Sequence, residues 1–563
     1  MCFLKKLMTL ASTLFIVAAS TALAVSKKEL KIAVSQEFEH LNPIISQMAT
    51  TRFITDMSVR SILTLNPDGE WVPFMIKEIP SFENGLASFF TENGVKKIRA
   101  HFELKENLKF GDGHPITAED IKFTWSVGMN ENISIGEREI WSQIERVILY
   151  PENARKFTFE YAKARWDFNQ LPQFYVIPKH LEEPIIKKYG NKPGEYEKHS
   201  LYVTDSLNPG LYQGPYRLSE LKLGSHIILV PNEHFYGKAP YFEKIIIKVI
   251  QNTNALEANL MSGTVDMISN LGLTFDQAVA AEKRIKKQNK LFEVVFEPGL
   301  VYEHIDLQLD NPLLKDINVR KALVYGINRE ALVNALFEGK QQVAVHNIAP
   351  VDPWYTDDPK DIVLYPFSRR KARGMLKKAG WIMGDDGYRY KNGEKLTFQL
   401  MTTAGNKTRE MVEAYLQEQW KQIGVEITIK NEPARVYFGE TVRKSLYPAM
   451  AMYAWWSSPE NNPRSTMFSG NIPTKENDYS GQNSMRWSNK EVDQLLDEMD
   501  VEFKHENRLK IIAKILYHYT NEVPVIPLYY RSNNSIIPKN LAEFRISPHQ
   551  FGAENFVEYW HLK

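Results

Sequence analysis

The chain has almost no cysteine, because the only one among its 563 residues is Cys2. This residue lies inside a leader that we expect to be removed on export. The mature chain then has no thiol, which excludes disulfide bonds, thiolate nucleophiles and cysteine metal sites. Its stability must come from buried side chains.

A strong net charge is also absent. The sequence has 69 Lys and Arg residues against 68 Asp and Glu residues, for a formal charge of +1. No long basic run interrupts this balance, so the chain lacks the electrostatic footprint of a nucleic-acid-binding protein. A near-neutral chain suits a small solute as its partner.

Long apolar runs are missing as well. Lys5 and Lys6 precede a mostly apolar stretch over 7–19, and Ala22-Leu23-Ala24 fits a signal-peptidase site. The stretch is shorter than the roughly 20 residues of a membrane-spanning helix, which favours a cleaved signal over an uncleaved anchor. We predict a signal peptide over 1–24, cleavage after Ala24, and a periplasmic product without a lipid anchor, since no cysteine follows that site.

Short catalytic signatures are not found. The sequence lacks the phosphate loop, the nucleophile elbow, the HExxH zinc helix and the dinucleotide fingerprint, and its thirteen histidines are scattered. Acidic pairs such as Asp357-Asp358 stand in turns, where solvation explains them. We therefore expect no metal, no cofactor and no enzymatic activity. A carboxylate hydrolase remains an alternative, because such enzymes carry no short motif.

What the chain does have is alternating strand and helix patterns, which predict an α/β fold of two or three lobes. Strands are predicted at 30–35, 96–110, 227–230, 245–250 and 525–530, and helical spacing at 51–65. Thr117 and Asp120 form a helix-start pattern, Asn328 caps a second helix, and Ser488 begins a capping box. A helix over 408–423 followed by a strand over 425–429 predicts a crossover unit.

One segment, residues 450–464, is unusually aromatic. Tyr453, Trp455 and Trp456 precede small and polar residues and two prolines, so an aromatic strand runs into a loop. Large aromatic surface beside a few polar groups is typical of a solute pocket. A core strand with inward-facing aromatics explains either tryptophan equally well.

Several segments in order resemble the family 5 extracellular solute-binding proteins, the peptide-binding components of ABC importers. The longest is LKENLKFGDGHPITAEDIKFTW over 104–125, and further similarity lies at 213–216, 319–330, 424–426 and 489–496. The similarity covers nearly the whole mature chain. The 104–125 block itself reads as structural, a turn followed by a helix cap.

The resemblance implies a periplasmic-binding-protein type II-like fold of cluster C. Lobes I and III would flank a ligand cleft, and lobe II would be an inserted third lobe. The implied boundaries are 25–68, 204–288 and 506–563 for lobe I, 69–203 for lobe II and 289–505 for lobe III. The implied function is capture of an oligopeptide or peptide-like solute by lobe closure, and delivery by a monomer to the permease subunits of an ABC importer in the inner membrane.

One departure bears on the ligand. Peptide-binding members of the family carry an aspartate for the ligand's amino terminus after the aromatic strand, where this chain has Ser457 and Ser458. Glu460 could substitute, or the ligand carries no free ammonium. The predicted ligand-binding residues are Tyr453, Trp455, Trp456, Ser457, Ser458, Glu460, Glu37 and Glu39. An oligosaccharide ligand on the same fold remains open beside the peptide.

Overall fold

The computed structural model describes residues 28–136, 138–171, 173–287 and 291–563. The predicted signal peptide and its cleavage after Ala24 lie outside these ranges and stay predictions. None of the helices within them combines the length and the apolar character that a membrane span requires.

The first part of the described chain, residues 28–204, mixes strands with short helices. Its strands are β1 (Glu29–Val34), β2 (Leu63–Leu65), β3 (Trp71–Pro73), β4 (Ala87–Glu92), β5 (Val95–Glu103), β6 (Ile144–Leu149) and β7 (Lys156–Tyr161). Its helices are α1 (Ala49–Thr55), α2 (Ala118–Gly128), α3 (Glu139–Ser142), α4 (Lys179–Tyr189), α5 (Glu195–His199) and α6 (Leu201–Thr204). The helical spacing over 51–65 is thus only partly realised, because residues 63–65 pair with β3 as a hairpin.

The middle part, residues 209–287, opens with a 3-10 turn at Pro209–Leu211. It then contains β8 (Tyr216–Lys222), β9 (His226–Pro231), β10 (Lys244–Val249), α7 (Thr253–Met261), β11 (Met267–Ile268) and α8 (Phe275–Lys287). The strands predicted at 227–230 and 245–250 are confirmed within one residue at each end.

The last part, residues 291–563, supplies the remaining elements. Its strands are β12 (Phe292–Leu307), β13 (Ile382–Met383), β14 (Arg389–Lys391), β15 (Glu394–Lys395), β16 (Thr397–Met401), β17 (Glu426–Ile429), β18 (Met450–Trp456), β19 (Val525–Pro538), β20 (Leu541–Ala542) and β21 (His561–Leu562). Its helices are α9 (Ile317–Tyr325), α10 (Arg329–Phe337), α11 (Arg369–Lys378), α12 (Lys407–Lys421), α13 (Ala434–Val436), α14 (Arg464–Met467), α15 (Lys490–Val501) and α16 (His505–Glu522). A π-helical turn spans Tyr437–Val442, and 3-10 turns span Ser469–Asn471 and Ala553–Tyr559.

Ten strands form one mixed sheet in the order β17-β16-β18-β12-β19-β11-β1-β10-β9-β8. Strand β1 runs parallel to β10 and β11, and β16 runs parallel to β17 and β18. Helix α12 connects β16 to its parallel neighbour β17, which confirms the predicted crossover unit. We call β8, β9, β10, β1 and β11 the β1 side of this sheet, and β16, β17 and β18 the β18 side.

Two long strands join these sides. β12 and β19 are 16 and 14 residues long and pair with each other antiparallel over almost their full lengths. β12 also pairs with β18, and β19 reaches β11 through Ile536. Their pairing shifts register between Pro298 and Val301. At this shift the backbone of β12 passes close to that of β19. Gly299 permits the contact, because a Cβ there would lie 2.9 Å from the carbonyl oxygen of Arg531.

A separate antiparallel sheet, in the order β4-β5-β7-β6, lies against the β1 side. Helix α2 packs on it, and Trp125 Nε1 donates to the carbonyl oxygen of Ile144 at 3.1 Å. We call this unit the small sheet. Its apolar side chains join those of the β1 side in one buried cluster.

The helix caps follow the sequence closely. Thr117 Oγ1 accepts from the amide of Glu119 at 3.3 Å, while Asp120 Oδ2 accepts from the amide of Thr117 at 2.9 Å, as the helix-start pattern predicts. Asn328 caps α10 as predicted. The prediction for α15 is wrong by one residue, because the side chain of Asn489 rather than Ser488 accepts from the first free amides. An asparagine is an equally good cap, and the two candidates are adjacent in sequence.

Candidate functional site

A deep cleft separates the β1 side from the β18 side. The space between its walls, counted together with the adjoining open solvent, is about 1840 Å³. One wall is formed by segment 35–52 and the loop 270–274 after β11, and the opposite wall by the end of β18, the π-helical turn and the start of α12. The fold thus brings together residues that are several hundred positions apart in the chain.

The aromatic strand predicted at 450–464 is β18, and its three candidate aromatics all line this cleft. Trp455 and Trp456 are half-buried, whereas Tyr453 is buried. The Tyr453 hydroxyl donates to Asp306 Oδ2 at 2.6 Å, and its ring meets that of Trp455 edge-on with centroids 6.1 Å apart. The strand therefore presents an aromatic wall to the cleft, and the Tyr453 hydroxyl in that wall already has Asp306 as its hydrogen-bond acceptor.

The three candidate residues in the loop after β18 lie in different environments. Ser457 lines a neighbouring pocket that shares Tyr453 and Trp455 with the cleft. Ser458 is buried and lies outside the lining of both cavities. Glu460 points to helix α16, where its Oε1 lies 2.8 Å from His505 Nε2. The structure thus brings Ser457 close to the cleft and holds the Glu460 carboxylate in a hydrogen bond with His505 elsewhere.

Glu37 and Glu39, the two candidate acids that follow β1, also lie in different environments. Glu39 lines the cleft, and burial raises the pKa of its carboxyl against the opposing effect of Arg443. The carboxylate of Glu37 instead approaches Gly224 in the β8–β9 turn, outside the cleft lining. Of this pair, only Glu39 faces the space between the walls.

Four arginines line the cleft, none of which the sequence analysis singled out: Arg52, Arg409, Arg443 and Arg531. Arg409 and Arg531 converge on one buried carboxylate, Glu303 of β12, at 2.6 and 3.1 Å. Burial alone would raise the pKa of Glu303, but the two guanidiniums hold it below its usual value. This trio is therefore ionised and links helix α12 to the paired strands β12 and β19 beside the cleft.

The other two arginines bond to neutral groups. Arg52 donates to Gln550 Oε1 at 2.8 Å and also to Gln173 Oε1. Arg443 donates from Nη1 to Ser134 Oγ at 2.6 Å and from Nε to the Gly439 carbonyl oxygen at 2.9 Å. Neither arginine has a carboxylate within salt-bridge distance among residues 28–136, 138–171, 173–287 and 291–563.

A second cleft-lining acid is Glu554, from the 3-10 turn near the C-terminus. Burial and, to a smaller extent, the neighbouring Asp56 raise the pKa of its carboxyl to about 8, against the opposing effect of Arg52. Burial likewise raises the pKa of Asp56, which accepts from the Tyr175 hydroxyl at 2.6 Å and from Asn555 Nδ2 at 2.8 Å. Near neutral pH the Glu554 carboxyl is therefore mostly protonated.

No three His, Asp or Glu side chains in the described part of the chain gather closely enough to hold a metal ion. The cleft instead offers aromatic faces, guanidinium groups and amides. With its two walls on either side of long connecting strands, the fold defines an α/β protein that encloses a small solute.

Comparison with known proteins shows which family this chain belongs to. Residues 85–475 match the model of the bacterial extracellular solute-binding proteins, family 5 Middle. The chain belongs to this family, as the resemblance implied. Because the family consists of non-catalytic solute-binding proteins, membership also confirms that the chain is not an enzyme, and the hydrolase alternative falls away.

Individual relatives agree with this assignment. The oligopeptide-binding protein AppA of Bacillus subtilis (strain 168) is 28% identical over 468 residues, covering 82% of this chain and 80% of that protein. The nickel-binding periplasmic protein of Escherichia coli (strain K12) is 22% identical over 551 residues, covering 96% and 97%. Among solved structures, the oligopeptide-binding protein from Thermus thermophilus complexed with a pentapeptide matches with a TM-score of 0.86 at 28% identity, covering 95% and 96% of the two chains. The predicted α/β binding-protein fold is thus confirmed.

Proposed function

We propose that this chain captures a peptide or peptide-like solute in the cleft between the β1 and β18 sides and delivers it to the permease subunits of an ABC importer. It does so in the periplasm, as a monomer. The observation that carries the proposal is the position of Trp455 and Trp456, which are half-buried and line this cleft. Half-buried tryptophans offer apolar area that a bound solute can cover.

The ligand-binding wall includes Tyr453, Trp455, Trp456 and Glu39 in this proposal, with Ser457 at its edge. Arginine and glutamine side chains complete it. Such a mixture of aromatic faces and oriented polar groups suits a peptide, whose main chain offers repeated donors and acceptors while its side chains vary. Two relatives with solved structures hold a pentapeptide and a nonapeptide.

Capture would occur by closure of the lobes. The lobe boundaries implied by the resemblance place Ser134 in lobe II and Arg443 in lobe III, so their 2.6 Å hydrogen bond is a contact between lobes. A solute that touches both walls binds the closed form more tightly and shifts the population toward it. The permease would then recognise the surface that closure creates.

Isothermal titration calorimetry of the mature chain tests this proposal. The ligands are a pool of random pentapeptides and, separately, a pool of neutral oligosaccharides. We expect one peptide per chain, no heat from the oligosaccharides, and a weaker peptide affinity for Trp455→Ala. Tyr517→Ala is the matched control, because Tyr517 is exposed and lies outside the cleft.

If oligosaccharides bind and peptides give no binding heat, the ligand is a sugar and the peptide proposal is wrong. Equal loss of affinity in Trp455→Ala and Tyr517→Ala would move the site away from β18.

A further inference from the structure

Among the residues that the structure describes, the cleft lining carries more positive than negative charge. The lining includes four guanidiniums, which stay protonated at any physiological pH. Of the carboxylates in the described ranges, only Glu303 is ion-paired with them, and Arg409 and Arg531 share it. No described carboxylate lies within salt-bridge distance of Arg52 or Arg443, although Arg52 acts on the pKa of Asp56 and Arg443 on that of Glu39 from farther away.

The carboxyl groups on the cleft wall do little to offset this surplus. Burial raises the pKa of Glu554 to about 8 and also raises that of Glu39. Asp56 lies behind Arg52, and burial raises the pKa of its carboxyl too. Each of these acids is therefore less negative than an exposed carboxylate at the same pH.

The loop after β18 adds no charge to the cleft. Ser457 and Ser458 are neutral, and the carboxylate of Glu460 is occupied by His505, 2.8 Å away, outside the cleft lining. Among the described residues, this loop offers no carboxylate to a ligand ammonium group in the cleft, whereas Asp306 and Asp352 line the neighbouring pocket that Ser457 also lines. Burying an ammonium without such a partner is costly.

The two arginines that lack a carboxylate partner are nevertheless held in place. Arg52 is oriented by the amide oxygens of Gln550 and Gln173, and Arg443 by the Ser134 hydroxyl and the Gly439 carbonyl oxygen. These acceptors position the guanidiniums without neutralising them. A pre-oriented guanidinium binds a carboxylate with little further loss of side-chain entropy, often through two parallel hydrogen bonds.

We propose that the solute taken by this cleft is an acid: a peptide or peptide-like molecule whose carboxylates outnumber its ammonium groups, bound through Arg52 and Arg443. This inference rests on the proposed function and narrows its ligand class. An N-blocked peptide and a peptide rich in Asp or Glu both meet the description, because each replaces ammonium by a neutral group or adds carboxylates.

Calorimetry with matched pentapeptides tests the inference. The parent is Ala-Ala-Gln-Ala-Ala with free termini, and its variants are the N-acetylated form, the C-terminal amide, and forms with Glu or Lys at the centre. We expect N-acetylation to preserve binding, Gln-to-Glu exchange to tighten it, and C-terminal amidation or Lys to weaken it by about tenfold or more, the scale of one charge-assisted pair.

Arg443→Gln and Arg52→Gln should each remove most of the preference for the Glu peptide over the Lys peptide. Arg370→Gln is the matched control, since Arg370 is exposed on α11 and lies outside the cleft lining. If either cleft variant misfolds, Arg443→Lys and Arg52→Lys keep the positive charge and should retain the preference while losing affinity, because an ammonium cannot form the paired hydrogen bonds.

The outcomes separate the inference from the proposed function. If peptides bind but the amide or Lys form binds as tightly as the Glu form, the acid preference is overturned and peptide capture stands. If no peptide binds, capture of peptides fails, and citrate and tricarballylate then decide the acid preference alone. Binding of these tricarboxylates that is lost in Arg443→Gln would uphold it, and their failure to bind would overturn it as well.

Discussion

The carboxylate of Asp500 on α15 lies 3.2 Å from the guanidinium of Arg165 in the loop after β7, and so ties the small sheet to the C-terminal part of the chain. Lys163 approaches the same carboxylate at 3.1 Å, and Asn462 Nδ2 donates to it at 2.8 Å. Burial alone would raise the pKa of Asp500, but its cationic neighbours hold it below the usual value. Under the proposed boundaries this is a contact between lobes II and III.

Asp500→Asn should lower both stability and ligand affinity. The variant removes one anionic partner from Arg165, which keeps Glu139 and Asp167, and one from the buried Arg464. We expect a cost of about 1.5–3 kcal/mol, the scale of a hydrogen bond to a charged group. Closure should also become less favourable, which lowers apparent affinity. Urea unfolding and calorimetry measure the two effects. Glu498→Gln, at an exposed neighbour on the same helix, is the control and should change little; equal effects from both variants would contradict a special role for Asp500.

The helix cap at Thr117 should matter for stability alone. Thr117→Ala removes the hydroxyl that accepts from the Glu119 amide, at a cost of about 1 kcal/mol. Thr117→Ser keeps that acceptor and should restore most of the loss. Peptide affinity is expected to be the same in all three proteins, because the 104–125 block lies outside the cleft lining. A tenfold fall in affinity for Thr117→Ala would show that the block takes part in binding.

Glu554 should make the fold less stable as the pH rises. Its pKa is about 8 in the folded chain, against an ordinary value of 4.5, so the folded state holds the proton more tightly. The resulting stabilisation is fully present below pH 4.5 and is lost as the pH rises through 8, with a slope of up to about 1.4 kcal/mol per pH unit.

Glu554→Gln should remove that dependence, because glutamine stays neutral. Relative to the unsubstituted chain, the variant is expected to gain stability between about pH 5 and pH 8 in urea unfolding, even though Asp56 and Arg52 nearby are unchanged. The exposed Glu498→Gln is the control. Parallel stability curves for Glu554→Gln and the parent across this range would refute a raised pKa.

Trp455 and Trp487 should respond to substitution in opposite ways. Trp455→Ala should weaken ligand binding by about tenfold or more, as for an interface anchor, with a smaller change in melting temperature. Trp487 is buried and donates to Glu522 Oε2 at 2.7 Å, so Trp487→Ala should cost about 3–5 kcal/mol of stability while the cleft wall remains. If Trp455→Ala lowers the melting temperature as much and spares affinity, Trp455 is a core residue.

Local features of the fold were accessible from the sequence. The Thr117 and Asn328 caps, the crossover around α12 and the aromatic strand β18 each depend on residues within about one element of each other. Hydrogen bonding and periodicity act at that range, so the pattern reveals them. The strand at 525–530 was recognised only in part, because the polar run from Arg531 to Ser535 hides its continuation to Pro538.

Most of the cleft could not be predicted in the same way. Arg52 meets Gln550 across 498 positions, and Arg409 meets Glu303 across 106. An isolated arginine has the same local signature whether it is solvated or faces a cleft, so no sequence pattern distinguishes these residues. Glu460 shows the converse: its place beside the aromatic strand suggested the cleft, while the fold turns its carboxylate toward His505.

The most direct test of solute capture is native mass spectrometry of the exported protein, purified without a denaturing step. We predict a population heavier than the mature chain by the mass of one bound peptide or peptide-like acid, which is released on unfolding and sequenced by fragmentation. The same preparation of Trp455→Ala should carry less of it. A single unliganded mass in both proteins, with no peptide able to rebind, would contradict the account.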